Sequence, residues 1–221
     1  MINIAIDGPA GAGKSTIAKA VAAKKGYIYV DTGAMYRAMA LFILRNGIDP
    51  EDAAAISAKC TEADITIEYR DGAQVVLLGG ENVNDYLRTP QVSDMASRTS
   101  VNGDVRRKLV ELQQQLARRQ NVVMDGRDIG TVVLPDAQVK IFLTASVEVR
   151  AGRRYKEMNE KGEEADLEAI KAQIKERDER DMNREISPLK QAEDAVLVDT
   201  SDMSIDEVVE RILGIVEEKI G

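Results

Sequence analysis

The amino-acid sequence predicts an α/β protein with a five-stranded parallel sheet and helices on both faces. Short apolar runs alternate with segments of helical length, and right-handed crossovers turn this alternation into a doubly wound sheet. A glycine-rich segment joins the first apolar run to the first helical segment. The 221 residues, 44% of them apolar, suit one domain with a sizeable core.

The elements follow from periodicity and from turn residues. Strands are predicted over residues 2–7, 26–31, 121–125, 138–143 and 195–199, and helices over 16–23, 34–45, 51–64, 104–120, 166–184 and 204–220, with one more after a cap at 144–146. A hairpin of residues 65–69 and 74–78 around an Asp71-Gly72 turn interrupts the pattern. We therefore expect a single domain over 1–221 that carries an inserted α+β subdomain at 63–100.

Composition excludes several classes of function. With 30 Lys+Arg against 38 Asp+Glu, the net charge of −8 argues against non-specific nucleic-acid binding. The absence of histidine excludes Ser-His-Asp catalysis, and the lone Cys60 is expected to be a small buried hydrophobe. No apolar run approaches the roughly 18 residues of a membrane span. Because the glycine-rich segment starts at Gly8, we expect no signal peptide, a cytoplasmic location and, since nothing demands an oligomer, a monomer.

The glycine-rich segment matches G-x-x-x-x-G-K-[ST] between a predicted strand and a predicted helix. Its candidate ATP-binding residues are Gly8, Pro9, Ala10, Gly11, Ala12, Gly13, Lys14, Ser15 and Thr16. Glycines let backbone N–H groups turn towards phosphate oxygens, and the helix N-terminus adds donors and partial positive charge. Lys14 supplies a cation for the β- and γ-phosphates, and Ser15 a hydroxyl for Mg²⁺. The segment predicts a P-loop NTPase fold that binds a nucleoside triphosphate.

Charged residues follow two other strands where a second ligand would face this loop. Asp31, Thr32 and Arg37 follow the second strand, although a helix cap and a solvated arginine would explain them equally well. Asp125 ends the third strand, as expected of an aspartate that organises the magnesium shell. Arg127 and Asp128 come next and suggest ligand contacts, with a mutual surface salt bridge as the alternative.

Arginines are frequent near strand ends and in the charged segments of the second half of the chain. After the fourth strand, Arg153 and Arg154 lie near a charged, glycine-containing stretch at 159–164, which we expect to be a mobile loop within a lid at 152–165. In the charged run at 175–184, Arg177, Asp181 and Arg184 share one helical face, although such runs are usually solvated surfaces. Phosphoryl transfer between small molecules needs many such cations.

Four segments together resemble bacterial cytidylate kinases over the whole chain. They are IDGPAGAGKS at 6–15, DTGAMYR at 31–37, DGRDIGTVV at 125–133 and KERDERDMNR at 175–184. The insertion at 63–100 matches the enlarged monophosphate-binding subdomain of that family. The resemblance implies Mg²⁺-dependent transfer of the ATP γ-phosphoryl group to CMP or dCMP.

The resemblance also implies roles for residues at matching positions. Arg37, Arg127 and Arg184 would hold the acceptor phosphate, with Thr32 close to the sugar or phosphate. Ser97, Arg106 and Asp128 would read cytosine, Arg177 and Asp181 would hold the pentose hydroxyls, and Arg153 and Arg154 would neutralise the ATP phosphates. Lys14, Arg127 and Arg184 are the expected catalytic residues.

Two departures from the family leave details open. Related kinases often carry Gly-Lys-Gly-Thr where this chain has Gly13-Lys14-Ser15-Thr16, so Thr16 competes with Ser15 for the metal shell. Some relatives have serine in place of Thr32. Two alternative functions also remain: a kinase for another acceptor such as UMP, AMP or a metabolite alcohol, and a nucleotide-dependent binding or regulatory protein.

Overall fold

The computed structural model describes residues 1–70 and 72–221, and its backbone contacts group the chain into two compact units. The first unit is Ile28–Asn121 with Met1, and the second combines Ile2–Tyr27 with Val122–Gly221. The expectation of one domain with an insertion at 63–100 and a lid at 152–165 stays a prediction. Along the described chain, no helix combines the length and the apolar character that crossing a bilayer would need.

The second unit contains four strands and five helical segments. They are β1 (Asn3–Asp7), α1 (Lys14–Lys25), β6 (Val122–Gly126), a π-helical turn (Ile129–Val133), β7 (Val139–Thr144), α6 (Val147–Glu160), α7 (Leu167–Asn183), β8 (Val196–Asp199) and α8 (Ile205–Ile220). The first unit contains β2 (Ile28–Asp31), α2 (Thr32–Arg45), α3 (Ala53–Cys60), β3 (Ile65–Arg70), β4 (Ala73–Leu78), β5 (Glu81–Asn82), α4 (Pro90–Thr99) and α5 (Gly103–Arg119).

The main sheet confirms the predicted fold class. Its five strands have the order β2-β6-β1-β7-β8, and β1 pairs in parallel with both β6 and β7. Strand β7 in turn pairs in parallel with β8. The strand order reverses around β1, which is the position where open α/β sheets bind ligands outside the carboxyl ends of their strands. Asp7, the last residue of β1, lies opposite Gly126 and Phe142.

The helices begin and end where the sequence provides caps. Ser146 caps α6 by accepting a hydrogen bond from the Val149 N–H, and Ser204 forms a capping box with Glu207 at the start of α8. Helix α6 continues to Glu160, so the predicted loop at 159–164 begins two residues too early. Met158 and Ala165, on either side of this loop, pack against a small core of Ala151, Ile170 and Ile174.

A single π-helical turn follows β6, and the sequence did not predict it. The N–H of Leu134 donates to the carbonyl of Ile129, five residues earlier, at 2.7 Å. Ile129 and Val133 are buried, so the turn brings two apolar side chains inward within one turn. The turn directly follows Arg127 and Asp128, and its buried side chains anchor the backbone next to these two residues.

In the first unit, β3, β4 and β5 form a separate antiparallel sheet in that order, which confirms the predicted hairpin. Ile65 lies opposite Leu78 and Arg70 opposite Ala73; Asp71, in the predicted turn, lies outside the described residues. Residues Pro90–Thr99, for which no helix was predicted, form helix α4. Its N-cap is Thr89, Pro90 occupies the first turn, and an apolar face buries Val92, Met95 and Ala96.

Side chains of the small sheet satisfy backbone groups of β2. The side-chain oxygen of Gln74 accepts from the N–H of Asp31 at 2.8 Å, and its amide nitrogen donates to the Asp31 carbonyl at 3.2 Å. The hydroxyl of Tyr69 donates to the Tyr29 carbonyl at 3.2 Å. Cys60 is a free, fully buried thiol, as the sequence predicted.

Candidate active site

The glycine-rich loop of residues 8–13 connects the carboxyl end of β1 to the first residue of α1. Gly8, Gly11 and Gly13 have φ angles of 148°, 77° and 89°, a region that L side chains rarely adopt. The ammonium of Lys14 donates to the Pro9 carbonyl at 2.7 Å and so closes the loop on itself. The loop thus sits on a helix N-terminus, which is a favourable place for an anion.

Burial lowers the pKa of Lys14 well below its usual value, and the positive charge of Arg127 lowers it further. Asp125 and Asp7 oppose the shift but do not cancel it. Only 6% of the Lys14 residue surface is exposed. A cation in this position gains more from an incoming polyanion than a solvated lysine would, because nearby water does not already stabilise it.

The hydroxyl of Ser15 donates to a carboxylate oxygen of Asp125 at 2.9 Å. This contact joins the start of α1 to the end of β6, and Asp125 itself is buried. Hydroxyl and carboxylate oxygens suit Mg²⁺, which usually takes one or two protein ligands and fills its shell with phosphates and water. Thr16, the alternative hydroxyl, is exposed. Within residues 1–70 and 72–221, no group of three acidic or cysteine side chains forms a metal cluster, and Mg²⁺ bound through ATP needs none.

Asp7 holds the turn after Arg127 and Asp128, a role for which no specific signal is present in the sequence. Its two carboxylate oxygens accept separately from the N–H groups of Ile129 at 2.8 Å and Gly130 at 2.7 Å. A Cβ added at Gly130 would meet the Lys140 side chain first, at 3.1 Å, and would lie 3.4 Å from the Asp7 carboxylate, close to an ordinary contact. Burial raises the pKa of Asp7 to about 6, although the two backbone N–H groups lower it in part.

Asp7→Asn is expected to change how stability depends on pH. The folded-state pKa of about 6 lies above the ordinary aspartate value of about 3.9, so between these values the native state binds more protons than the unfolded state. The contribution of Asp7 to stability is therefore greatest at low pH and falls as pH rises through this window.

The measurement is urea unfolding of both proteins at pH 4.5 and pH 7.5. The free energy of unfolding of the wild type, relative to Asp7→Asn, should fall by about 2 kcal/mol between the two pH values. Other carboxylates titrate in both proteins and cancel in the difference. Stability curves that run parallel over this range would contradict the raised pKa.

Helix α7 and the residue that follows it bring several charged side chains to the end of β6. The Arg127 guanidinium donates to an Asp181 carboxylate oxygen at 2.9 Å, and an Arg184 nitrogen lies 3.8 Å from an Asp128 oxygen. Burial alone would raise the pKa of Asp181, but the charges of Arg127, Arg177 and Arg184 hold it below its usual value. Arg127 therefore pairs with Asp181. The alternative interpretation of the sequence, a surface salt bridge between Arg127 and Asp128, is not what the structure shows.

The charged run at 175–184 is more than a solvated surface. Asp178 is only 6% exposed, and the side chains of Asp181 and Arg184 are 13% and 6% exposed. Arg184 caps α7 in an extended conformation, so it lies beyond the helix rather than on its face, and its guanidinium donates to the Ser187 carbonyl. Arg177 lies on α7 as predicted and is exposed.

The two arginines predicted to meet the ATP phosphates behave differently. Arg153 donates to the carbonyl of Thr200 at 2.7 Å and to its hydroxyl at 3.2 Å, just after β8. Arg154 is exposed on the same helix, α6. Arg153 is therefore held at the carboxyl end of β8 in this structure.

In the first unit, Asp31 both caps a helix and pairs with an arginine. Its carboxylate accepts from the Ala34 N–H at 2.8 Å and caps α2, and it also pairs with Arg37 at 3.2 Å. Thr32 is the first residue of α2 and is only 4% exposed. Among the described residues, the buried Nε atom of Arg37 has no hydrogen-bond partner. That donor suits an anionic ligand.

The proposed cytosine readers of the first unit lie on α4 and α5. Arg106 is only 4% exposed, donates to the Ser100 carbonyl at 3.2 Å, and lies 5.5 Å from the centre of the Tyr36 ring. The Ser100 hydroxyl in turn donates to the Ser97 carbonyl at 2.9 Å. Ser97 and Arg106 are thus linked through Ser100, with an aromatic ring of α2 beside the guanidinium.

Comparison with known proteins decides the family. A sequence model described as cytidylate kinase matches residues 4–218. The chain belongs to the cytidylate kinase family. A cytidylate kinase of Caldicellulosiruptor bescii is 52% identical over 212 residues, which cover 96% of this chain and 94% of that protein. One from Bacillus licheniformis is also 52% identical, over 98% of this chain and 96% of the relative. The resemblance seen in the sequence is therefore confirmed, and this cytidylate kinase family member is an enzyme.

A comparison of structures gives the same fold. Shikimate kinase from Bacteroides thetaiotaomicron aligns over 98% of both chains with a TM-score of 0.52 at 15% identity. At that identity the likeness concerns the fold alone: a P-loop kinase sheet flanked by helices. A shared fold does not by itself identify the acceptor.

Proposed function

We propose that this protein transfers the γ-phosphoryl group of ATP to CMP and dCMP, producing CDP and dCDP. The observation that carries the proposal is the family match over residues 4–218, supported by cytidylate kinases about half identical over nearly the full length. The phosphate loop and the charged groups at the end of β6 supply the chemistry that this transfer needs.

On the donor side, we assign the ATP phosphates to the loop of residues 8–16. Its backbone N–H groups and the α1 N-terminus offer donors for phosphate oxygens. Lys14 would leave the Pro9 carbonyl to meet the β- and γ-phosphates, whose negative charge offsets the burial that lowers its pKa. Arg153 and Arg154 are proposed to neutralise the phosphates as the lid closes.

Ser15 and Asp125 are the residues that we propose to hold Mg²⁺ together with ATP. Their oxygens already lie 2.9 Å apart, and the exposed position of Thr16 makes it the less suitable hydroxyl. When bound, Mg²⁺ would neutralise charge on the β- and γ-phosphates and orient them.

On the acceptor side, we assign the phosphate of CMP to Arg37, Arg127 and Arg184, with Thr32 close to the sugar or phosphate. The guanidinium groups suit planar contacts with phosphate oxygens. Arg177 and Asp181 are proposed for the pentose hydroxyls. The pKa of Asp181 is held low, so it would accept hydrogen bonds as a carboxylate at neutral pH. Cytosine is assigned to Ser97, Arg106 and Asp128, since a carboxylate can accept from its exocyclic amine.

The reaction needs no general base. An oxygen of the CMP phosphate attacks the γ-phosphorus, the bond from that phosphorus to the β–γ bridging oxygen breaks, and ADP leaves with the electron pair. Negative charge spreads over the equatorial oxygens during transfer, and Lys14, Arg127 and Arg184 are the cations proposed to stabilise it. We further propose that the enzyme works in the cytoplasm as a monomer on free nucleotides, without nucleic acid or membrane.

The test is an ADP-release assay with ATP and Mg²⁺, run separately with CMP, dCMP, UMP, AMP and GMP. We expect CMP and dCMP to give the highest kcat/KM. Turnover led by another monophosphate would overturn the cytosine assignment, and ATP hydrolysis unaffected by any monophosphate would favour a binding or regulatory protein.

Asp128→Ala is expected to lower kcat/KM for CMP about a hundredfold and for UMP much less. CMP loses an acceptor for its exocyclic amine, while UMP presents a carbonyl at that position. The measurement is the ratio of kcat/KM for the two substrates in both proteins. Asp136→Ala, which removes an exposed carboxylate outside the site, is the matched control. An equal loss for both substrates would remove Asp128 from base reading.

A further inference from the structure

Arg150 and Asp178 form a buried, two-point ion pair that the proposed reaction does not use. Two guanidinium nitrogens of Arg150, on α6, donate to the two carboxylate oxygens of Asp178, on α7, at 3.0 and 2.6 Å. The residues are only 4% and 6% exposed. Such a pair is costly to bury and contributes little net stability compared with an apolar pair of similar volume, so stability alone is a weak explanation.

The same guanidinium also holds the phosphate loop. It donates to the Ala10 carbonyl at 3.0 Å and, through Nε, to the Ala145 carbonyl at 2.9 Å. In a trans peptide unit the C=O and the following N–H point in opposite directions. Holding the carbonyl of Ala10 therefore also sets the direction of the Gly11 N–H, one of the donors available to an ATP phosphate.

The aliphatic part of Arg150 supports the loop as well. A Cβ added at Gly11 would lie 3.3 Å from the Cβ of Arg150 and 3.7 and 3.8 Å from its next two carbons, so glycine permits a close approach. Arg150 thus contacts the Ala10–Gly11 peptide in two ways. Its aliphatic carbons pack against Gly11, and its charged guanidinium donates to the Ala10 carbonyl.

The partner of Arg150 in the ion pair, Asp178, lies within the charged segment of α7 at 175–184. It directly follows Arg177 in the chain and precedes Asp181 by three residues, so Asp178 and Asp181 lie on the same face of the helix. One guanidinium consequently fixes the distance between the loop peptide at Ala10 and the part of α7 that carries these two groups.

We propose that Arg150 and Asp178 are positioning residues that orient the Ala10–Gly11 peptide for ATP and hold α7 in register with it. The proposal rests on the proposed kinase function. Removing the pair should loosen the loop and shift α7, which weakens ATP binding and slows transfer even in a protein that remains stably folded. A purely structural pair would affect only stability.

The decisive variant is Arg150→Met/Asp178→Leu, which replaces the ion pair by apolar side chains of similar volume. We expect a folded protein whose thermal midpoint changes little, because the cost of burying the ion pair is removed while the hydrogen bonds to the Ala10 and Ala145 carbonyls are lost. We also expect affinity for a non-hydrolysable ATP analogue to fall about tenfold and kcat about a hundredfold, since a displacement of about 1 Å can cost that much. The control Glu176→Leu/Arg180→Met removes an exposed ion pair from the same helix and should leave both values unchanged.

Wild-type kinetics and ATP-analogue affinity, within twofold, in a folded double variant would overturn the proposal. If the double variant does not fold, Arg150→Lys decides instead. Lysine keeps one charge beside Asp178 but cannot reach its carboxylate at two points and the Ala10 and Ala145 carbonyls together. Unchanged ATP affinity in Arg150→Lys would then contradict the positioning role. Failure of the kinase function itself would show as a wild type that turns over no monophosphate, while the binding measurement still tests the loop contact.

Discussion

Lys14→Ala is expected to lower kcat about a thousandfold while the protein remains folded. The substitution removes the cation proposed to stabilise charge on the transferring phosphoryl group, and one well-placed electrostatic contact is worth that order of rate. Lys14 is buried with a strongly lowered pKa, so its loss removes an unfavourable buried charge, which offsets the loss of its hydrogen bond to the Pro9 carbonyl.

The measurement is steady-state kinetics with ATP and CMP, together with thermal unfolding. The thermal midpoint should stay equal or rise. Lys19→Ala, which removes an exposed lysine from the same helix, should keep full activity. A kcat within tenfold of the wild type for Lys14→Ala would remove this residue from the catalytic group.

Gly8→Ala is expected to prevent stable folding or to lower the thermal midpoint by more than about 10 °C. Gly8 follows β1 with a φ of 148°, and a Cβ there would overlap the Leu143 carbonyl oxygen of β7. Relief would require separating two paired central strands, and the φ angle itself is unfavourable for alanine.

Gly214→Ala provides the matched control for this substitution. Gly214 lies within α8, and a Cβ there would meet nothing within 4 Å. The added methyl should therefore raise helix stability by roughly 1 kcal/mol. Expression, circular dichroism and thermal unfolding distinguish the two outcomes. A Gly8→Ala protein with the wild-type thermal midpoint would contradict the close approach between β1 and β7.

The main sheet and the phosphate loop can be predicted from sequence because each rests on local patterns. Apolar runs gave the five strands, and the motif at 8–15 gave the loop between β1 and α1. Helix α4 was missed because its stretch is rich in polar residues, while only its apolar face, with Val92 and Met95, is buried. Its formation depends on tertiary burial, which a polar-looking segment does not reveal.

The long-range contacts that hold the candidate site together could not be predicted from the sequence. In the sequence, Asp7 is simply the last residue of a predicted strand. In the structure its carboxylate accepts hydrogen bonds from two N–H groups more than 120 residues later, in a turn that has no sequence signature. Arg150 reads as one of several arginines on a helix, and only folding places it against Ala10 and Asp178. The roles assigned to individual ligand-binding residues remain predictions that the proposed variants test.

The side chains that satisfy β2 also occupy the positions where another strand could pair with it. Strand β2 stands at one end of the five-stranded order, where free N–H and C=O groups would invite a strand from another molecule. The amide of Gln74 occupies both backbone groups of Asp31 as a neighbouring peptide would, and Tyr69 occupies the carbonyl of Tyr29. Side chains of the small sheet thus take up backbone groups of β2 that a strand from another molecule would need for pairing.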